Sequence, residues 1–269
     1  MESNSLNKKE ILQGVFTRSA STYERIRYFP IFGEWLVETA QIPDGAKVLD
    51  VTCGRGAVLF PAAERVGPNG QVIGIDLAEG MARETQMEIQ RRGLKQAEAR
   101  QMDAEHLTFP DSSFDFVLCG FSLQFFPQLS RALSEFRRVL KPDGHIAVTT
   151  WASDDERWNW FDDLRKMYGA VVKLGSQTLD QPDDIRRWFT EASFRDIQIT
   201  SKELDMVFQD EEEWWNMEWS ISGRAGLEKL NAEDLERFKA EAFDKVQAQK
   251  QEDGFHYQLE ALCTVAQRQ

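Results

Sequence analysis

The stretch "KVLDVTCGRGAVLF", from Lys47 to Phe60, decides the fold. A hydrophobic run ends at Asp50, a turn of small residues contains Gly54 and Gly56, and a helical pattern follows. Strand, glycine turn and helix in this order are typical of a site where the backbone passes close to a ligand. In an open parallel sheet such ligands bind at the carboxyl ends of the strands, near the point where the strand order reverses.

Strands and helices alternate along most of the chain, which predicts an α/β fold: a Rossmann-like, mostly parallel sheet of seven strands with helices on both faces. The predicted strands cover residues 47–51, 71–75, 98–102, 116–121, 145–151, 196–208 and 254–267. The predicted helices cover residues 5–18, 31–40, 56–66, 78–92, 129–140, 155–172 and 183–192.

The predicted domain organisation is one core with two additions. Residues 1–44 form N-terminal helices and residues 45–269 form the core. Roughly 45 residues separate the last two predicted strands, far more than a hairpin loop needs. Residues 209–252 are therefore predicted to be a helical insertion before the last strand.

Composition narrows the class of protein. The three cysteines are isolated in sequence, which favours a reducing cytoplasm over a disulfide framework or a zinc site. The net charge of −13 opposes binding to nucleic acid, whose phosphates it would repel. No apolar run approaches the roughly 20 residues of a membrane helix, and the polar N-terminus lacks the apolar core of a secretory signal. We expect a cytoplasmic protein without a membrane partner.

Carboxylates at three predicted strand ends indicate what the glycine turn binds. A dinucleotide site would place a third glycine after Gly56, and this chain has none there. Asp50 would also oppose a pyrophosphate, whereas it suits the sulfonium and ammonium groups of S-adenosyl-L-methionine. Asp76 lies at the end of the second strand, where an acid binds ribose hydroxyls in either ligand class. Asp103, after the third strand, can accept a hydrogen bond from an adenine amino group.

With these residues in place, the chain resembles the class I S-adenosylmethionine-dependent methyltransferases. Within that family it looks like the group of quinone-biosynthesis C-methyltransferases and natural-product small-molecule methyltransferases. The resemblance covers about residues 45–151 and is carried by "VLDVTCGRGAV", "VIGIDLAEGM", "DAEHLTFPDSSFDFVLCGFSLQFF" and "ALSEFRRVLKPDGHIAVTTW". Weaker similarity extends into "GVFTRSASTYER".

The resemblance assigns a role to each matched residue. It implies that Gly54 and Gly56 lie under the methionine part with Asp50 behind the turn, and that Asp76, Leu77 and Met81 hold the ribose side. It further implies that Met102, Asp103 and Ala104 meet the adenine, and that Phe121 and Ser122 flank the reactive centre. Tyr23 resembles the tyrosine of an N-terminal lid that closes over the sulfonium, so residues 1–44 are expected to be lid helices. Thr52 stands where the family usually has glycine, and we expect an adjusted turn there.

Other reactive side chains have simpler interpretations. Cys53 and Cys119 are interpreted as small buried hydrophobic residues rather than nucleophiles. His256 is the only histidine outside the predicted cofactor core, which makes it the histidine best suited to be a general base. The adjacent acids Asp154-Asp155, Asp162-Asp163 and Asp183-Asp184 resemble helix starts, so no metal site is predicted.

The tryptophans allow two interpretations. Trp158, Trp160, Trp188, Trp214, Trp215 and Trp219 are spaced as in helices that bury them in a core. They also fall on the insertion and near the cofactor crevice, where the wall of a pocket for an apolar small molecule would be built.

The predicted function is transfer of a methyl group from S-adenosyl-L-methionine to a small, largely apolar or aromatic acceptor, leaving S-adenosyl-L-homocysteine. Quinone or natural-product biosynthesis is the expected context. The scarcity of bases favours methylation of carbon or nitrogen over oxygen, or an acceptor that is itself acidic. The alternative is a cofactor-dependent cyclase or binding protein on the same fold that does not transfer the methyl. A nicotinamide-dependent oxidoreductase is disfavoured by Asp50. The oligomeric state is left open, a homo-oligomer being one alternative.

Overall fold

A sheet of seven strands forms the centre of the molecule in the computed structural model, which describes residues 2–153 and 155–269. Met1, Asp154 and the side chains of residues 2–7 lie outside the described residues. The strands are β1 Lys47–Val51, β2 Gln71–Asp76, β3 Ala97–Gln101, β4 Phe114–Gly120, β5 Leu140–Ser153, β6 Phe194–Phe208 and β7 Phe255–Arg268. Their order in the sheet is β3-β2-β1-β4-β5-β7-β6.

The sheet confirms the predicted Rossmann-like topology. Strands β1 to β5 pair in parallel, and β7 runs antiparallel to both β5 and β6. Because β2 and β3 lie on one side of β1 and β4 lies on the other, the strand order reverses between β1 and β4. That reversal is where open parallel sheets bind their ligands.

The helices surround this sheet. They are α1 Glu2–Ser19, α2 Tyr28–Ala40, α3 Leu59–Val66, α4 Glu79–Arg92, α5 Leu129–Val139, α6 Asn159–Met167, α7 Pro182–Glu191, α8 Glu211–Glu218, α9 Arg224–Leu227 and α10 Ala232–Gln247. Tyr23–Arg25 and Glu156–Trp158 are two of the short 3-10 helices. Helices α8, α9 and α10 lie between β6 and β7, which confirms the predicted helical insertion.

Two hydrophobic layers hold helices on opposite faces of the sheet. On one face, Leu36 of α2 and Leu59 of α3 pack with Val48 and other inward-facing strand residues. On the other face, Leu133 and Phe136 of α5 pack with a second set of buried strand residues. Leu133 and Phe136 are three residues apart, so one helical stripe covers the sheet.

A third hydrophobic cluster joins the helical insertion to the sheet. Phe161 of α6, Trp214 of α8 and Phe238 of α10 are buried together there. The backbones approach closely: a Cβ added to Gly226 would lie 1.8 Å from the carbonyl oxygen of Ala170. Only glycine therefore fits at this contact between α9 and the segment that follows α6.

Two predicted helices are shorter than expected. The helix predicted for residues 56–66 begins at Leu59, because Gly54 and Gly56 have φ angles of 50° and 85° and the turn continues past them. The helix predicted for residues 155–172 is a 3-10 turn followed by α6, which ends at Met167.

Candidate functional site

The glycine turn is fixed by the carboxylate of Asp76. The backbone N–H of Gly54 donates to one oxygen of Asp76 at 2.9 Å, and the N–H of Ala78 donates to the other at 2.8 Å. One side chain thus joins the turn after β1 to the turn before α4. Burial raises the pKa of Asp76 to about 6, and these two N–H groups oppose the shift because they favour the charged form.

Two residues with unusual backbone angles face each other where the strand order reverses. Thr52 follows β1 with a φ of 58°, and Phe121 follows β4 with a φ of 52°. Such left-handed angles are costly for residues other than glycine and cluster at functional sites. The hydroxyl of Thr52 lies 2.6 Å from that of Ser122, so a hydrogen bond joins the two strand ends.

Asp50 is buried beneath the turn. Its side chain is 1% exposed, and neither carboxylate oxygen has a hydrogen-bond partner among the described residues. Burial and then the charge of Asp76 hold the pKa of Asp50 well above its usual range, and the N–H of Leu59 opposes this only weakly. A buried carboxylate without a partner is expensive, which indicates that a cationic group approaches it when the site is filled.

These residues surround a cavity of about 740 Å³. Most residues that the sequence assigned to the cofactor line it: Tyr23, Asp50, Thr52, Gly54, Gly56, Asp76, Leu77, Met81, Asp103, Ala104, Phe121 and Ser122. Met102 is not among the described lining residues; its side chain packs against the core beside α5. The structure therefore brings together residues from the ends of β1 to β4 in one crevice.

The N-terminal segment covers this cavity. The ring of Tyr23 lies over the turn, since a Cβ added to Gly54 would be 3.7 Å from its Cε1 atom. On α1, Lys9 forms ion pairs with Asp103 at 2.7 Å and with Glu105 at 2.6 Å. Burial would raise the pKa of Asp103, but Lys9 and neighbouring donors hold it below its usual value.

A second cavity of about 340 Å³ adjoins the first. The two share a wall of five aromatic residues: Phe16, Tyr23, Phe29, Phe121 and Phe125. The rings of Phe121 and Trp151 stack at a centroid distance of 4.0 Å. Among the described lining residues there is no Lys, Arg, His, Asp or Glu, so the cavity is aromatic and uncharged.

Two groups of residues that the sequence analysis singled out lie away from these cavities in the structure. His256 lines neither cavity as far as the described residues go, and both ring nitrogens contact carboxylates, Asp205 at 2.7 Å and Asp253 at 2.9 Å. The six tryptophans that the sequence singled out also do not line them. Five pack in the hydrophobic cluster that joins the insertion to the sheet, and Trp188, on α7, packs against the cluster that contains Leu133 and Phe136. The core interpretation of their spacing is the correct one.

Comparison with known proteins agrees with this geometry. Residues 49–148 match the model of a methyltransferase domain, and this segment runs from β1 into β5. The chain is 43% identical over 145 residues to aklanonic acid methyltransferase DauC of Streptomyces sp. (strain C5), covering 53% of this chain and 66% of that protein. The similarity to methyltransferases thus lies in the part of the chain that carries the strand ends of the larger cavity.

Other curated proteins that are similar to this chain carry related names. Nocamycin O-methyltransferase of Saccharothrix syringae is 44% identical over 137 residues, covering 50% of this chain and 49% of that protein. Demethylmenaquinone methyltransferase of Listeria welshimeri is 35% identical over 146 residues, covering 52% and 62%. The chain thus spans about half to two thirds of the length of the curated relatives it matches.

Solved structures share the fold of this chain. The YcgJ protein of Bacillus subtilis superposes with a TM-score of 0.61 at 20% identity, covering 87% of this chain and 97% of that one. The [4+2]-cyclase SpnF superposes with a TM-score of 0.57 at 20% identity, covering 89% and 81%. At this identity the likeness establishes the fold alone.

The residues of the larger cavity fit S-adenosylmethionine, the cofactor of the family that the sequence resembles. The unpartnered carboxylate of Asp50 offers a site for a cationic group, and Asp76 reaches the cavity from the end of β2 as a ribose-binding acid would. Among the described residues no cluster of His, Cys, Asp and Glu could hold a metal ion. Within the same part of the chain, no helix has the length and apolar character needed to cross a membrane.

Sequence reasoning missed several residues of the two cavities. Trp151 lies near the carboxyl end of β5, so the rule that ligands bind at strand ends could have found it. Tyr28 and Phe29 belong to α2, which begins three residues before the predicted helix of residues 31–40. Nothing in the sequence signals Lys9, whose position depends on how α1 folds back over the end of β3.

Proposed function

We propose that this protein transfers a methyl group from S-adenosylmethionine to a small, neutral, aromatic acceptor. The observation that carries the proposal is the pair of adjoining cavities. One contains the buried carboxylate of Asp50, and the other is aromatic and without charged lining residues. The names of the relatives, which concern aklanonic acid, nocamycin and demethylmenaquinone, support a natural-product or quinone acceptor for this chain as well.

Each cofactor residue has a distinct task in this proposal. Asp50 neutralises the cationic methionine end, Asp76 accepts from the ribose hydroxyls, and Asp103 accepts from the adenine amino group. When bound, S-adenosylmethionine supplies a methyl group activated by its sulfonium. Tyr23 and α1 close over the site and exclude water, which strengthens electrostatic attraction inside it.

The acceptor occupies the smaller cavity. Its volume of about 340 Å³ lies at the low end of the range for small-molecule sites. Stacking against Phe121 and Trp151 favours a flat ring, and the hydroxyl and amide groups of Ser153, Ser222 and Gln258 can orient its polar substituents.

The proposed domain organisation is the one that the sequence indicated. Residues 1–44 form the lid and residues 45–269 form the core, within which residues 209–252 are the helical insertion.

The proposal is tested by calorimetric titration with S-adenosylmethionine. Asp50→Asn keeps the shape of the side chain and removes its charge, so we expect the affinity to fall about tenfold or more, a loss of roughly 1.4 kcal/mol. Asp183→Asn, which removes an exposed carboxylate on α7, is the matched control and leaves the affinity unchanged. Equal affinities in wild type and Asp50→Asn would refute the site.

A second candidate is a cyclase that holds the cofactor without using its methyl, a class suggested by the fold of SpnF. The two functions differ in the mass of the product. Methyl transfer adds one CH₂ group to the acceptor and yields S-adenosylhomocysteine, whereas cyclisation leaves both masses unchanged. Mass spectrometry of the incubated mixture distinguishes them.

A further inference from the structure

The boundary between the two cavities is built from aromatic rings alone. The described residues that line both cavities are Phe16, Tyr23, Phe29, Phe121 and Phe125, and we call these five rings the aromatic arch. They come from five places in the chain: α1, the 3-10 helix before α2, α2 itself, the end of β4, and the 3-10 helix Leu123–Phe125. Segments that are far apart in sequence therefore each contribute a ring to one boundary.

The rings of the arch contact one another in an unbroken series. The ring centroids are 6.0 Å apart from Phe125 to Phe16, 6.1 Å from Phe16 to Tyr23, 5.3 Å from Tyr23 to Phe29, and 5.8 Å from Phe29 to Phe121. The planes of Phe16 and its two neighbours meet at 67° and 77°. The arch is thus one continuous wall of inclined rings rather than a flat stack.

The arch has no cation of its own. Elsewhere, basic side chains lie over aromatic rings, as Arg92 does over Phe60 at 3.9 Å. In the part of the chain that the structure describes, no lysine or arginine lies over a ring of the arch. Four of its rings are only partly buried, Phe121 being the exception. Electron-rich ring surface is therefore free to attract a cationic ligand.

The proposed function brings a cation to this boundary. In direct methyl transfer the methyl carbon and the acceptor atom must lie about 3–3.5 Å apart. If the cofactor fills the larger cavity and the acceptor fills the smaller one, these atoms meet where the cavities adjoin, which is at the arch. Asp50 and Asp76 line only the larger cavity, and no carboxylate lines both cavities among the described residues. The sulfonium at the boundary therefore has ring faces as its partners.

Resting on the proposed function, we propose that the aromatic arch binds the sulfonium by cation–π attraction and so distinguishes S-adenosylmethionine from S-adenosylhomocysteine. The attraction depends on the positive charge, which the sulfur loses when the methyl group is transferred. The arch therefore holds the substrate form of the cofactor and releases the product form. Asp50 does not make this distinction, because the ammonium that it is proposed to bind is present in both forms.

The test compares calorimetric titrations of the full chain with S-adenosylmethionine and with S-adenosylhomocysteine. Phe125→Leu keeps an apolar side chain and removes the ring, so we expect the affinity for S-adenosylmethionine to fall about tenfold. The affinity for S-adenosylhomocysteine should change by less than about twofold, because that ligand has no sulfonium. Phe16→Leu should behave in the same way. Phe243→Leu is the matched control: this partly buried ring on α10 lines neither cavity, and both affinities stay unchanged.

A second measurement separates charge recognition from simple packing. Phe125 is replaced by monofluoro-, difluoro- and trifluorophenylalanine, which withdraw electrons from the ring face while the ring stays apolar and nearly the same size. We expect the affinity for S-adenosylmethionine to fall with each added fluorine and that for S-adenosylhomocysteine to stay level. Binding of S-adenosylhomocysteine also checks that each variant is folded and keeps its cofactor site.

The outcomes separate this inference from the proposed function. Equal losses for the two ligands in the leucine variants would assign the arch to packing and overturn the inference, as would an affinity for S-adenosylmethionine that is constant along the fluorine series. Either result leaves the methyl transfer proposal intact. A wild type that binds neither ligand overturns the proposed function and this inference together. Asp50→Asn should weaken both ligands, so a loss confined to S-adenosylmethionine identifies the arch.

Discussion

The ammonium group of Lys9 lies 2.7 Å from the carboxylate of Asp103, tying the first helix to the end of the third strand. The same ammonium reaches Glu105, whose side chain is completely buried. One lysine on α1 therefore balances two acids beside the adenine end of the proposed cofactor site. Helix α1, part of the proposed lid, is held over this end by charge and elsewhere by the packing of Leu12 and Val15 against Ala225 of the insertion.

Replacement of Lys9 by methionine should release the lid. Without the ammonium, Glu105 is a buried carboxylate without a cation, and breaking such a pair costs about 3–5 kcal/mol unless the segment moves. We expect α1 to detach locally, so its amide hydrogens between residues 8 and 19 exchange at least tenfold faster. Hydrogen exchange measured by mass spectrometry checks this.

The control for Lys9→Met is Arg83→Met, which breaks an ion pair to Glu84 whose arginine is 60% exposed. Exposed pairs contribute about 0–1 kcal/mol, so exchange in α1 stays as in the wild type. Unchanged protection of α1 in Lys9→Met would show that Lys9 does not hold the lid.

Because the backbone at Thr52 is left-handed, we expect glycine to be tolerated there better than alanine. At a φ of 58°, alanine is strained and glycine is not, so Thr52→Gly should be more stable than Thr52→Ala by about 1–2 kcal/mol. Both variants lose the hydroxyl that bonds Ser122, so their difference isolates the backbone. Urea unfolding of the two variants gives this difference, and an alanine variant at least as stable as the glycine one would contradict the assigned turn.

Stability should depend on pH through Glu218. Burial at the end of α8 raises its pKa from 4.5 when unfolded to about 7 when folded, so the folded state holds the proton more tightly. The stabilisation from this tightly held proton is complete below pH 4.5 and is lost as the pH rises to 7. The free energy of unfolding changes by about 3 kcal/mol over that range. We expect the stability of the wild type relative to Glu218→Gln to fall by this amount over that range.

Denaturant unfolding at several pH values measures the Glu218 effect. Asp76 acts in the same direction, with its pKa raised to about 6, but it is present in both proteins and cancels in the difference. A difference that stays constant between pH 4.5 and pH 7 would mean that Glu218 is not protonated in the folded state.

The sequence was sufficient to predict the strands and the acids at their ends, because these follow local patterns. It was not sufficient to predict contacts between segments that are far apart in the chain. Alternating apolar runs marked β1 to β5, and the strand-end acids Asp50, Asp76 and Asp103 do meet in one cavity. Those residues share the regular geometry of a parallel sheet, in which strand ends meet at one edge. Their roles toward a ligand stay predictions until the binding measurements are made.

Other features follow from contacts between segments far apart in the chain. Lys9 meets Asp103 across 94 residues. Glu218 lies 3.9 Å from Arg165 only because the insertion packs against α6. His256 was selected for its chemistry as a histidine, and the register of β6 and β7 instead places it opposite Val207, beside Asp205. No local pattern encodes such juxtapositions.

A glycine in α2 should control the shape of the cofactor turn. A Cβ at Gly33 would lie 2.0 Å from the carbonyl oxygen of Ala57, so Gly33→Ala must push α2 away from the turn that contains Gly54 and Gly56. Overpacking of this kind costs about 1–3 kcal/mol, and the displaced turn should bind S-adenosylhomocysteine at least tenfold more weakly. Gly14→Ala in α1 is the matched control, because only the flexible Arg18 side chain lies near its Cβ and alanine favours a helix by up to about 1 kcal/mol. Urea unfolding should therefore show a loss of stability in Gly33→Ala and a gain in Gly14→Ala, and calorimetry should show weaker binding in Gly33→Ala alone. A Gly33→Ala protein as stable and as tightly binding as the wild type would mean that α2 does not press on the turn.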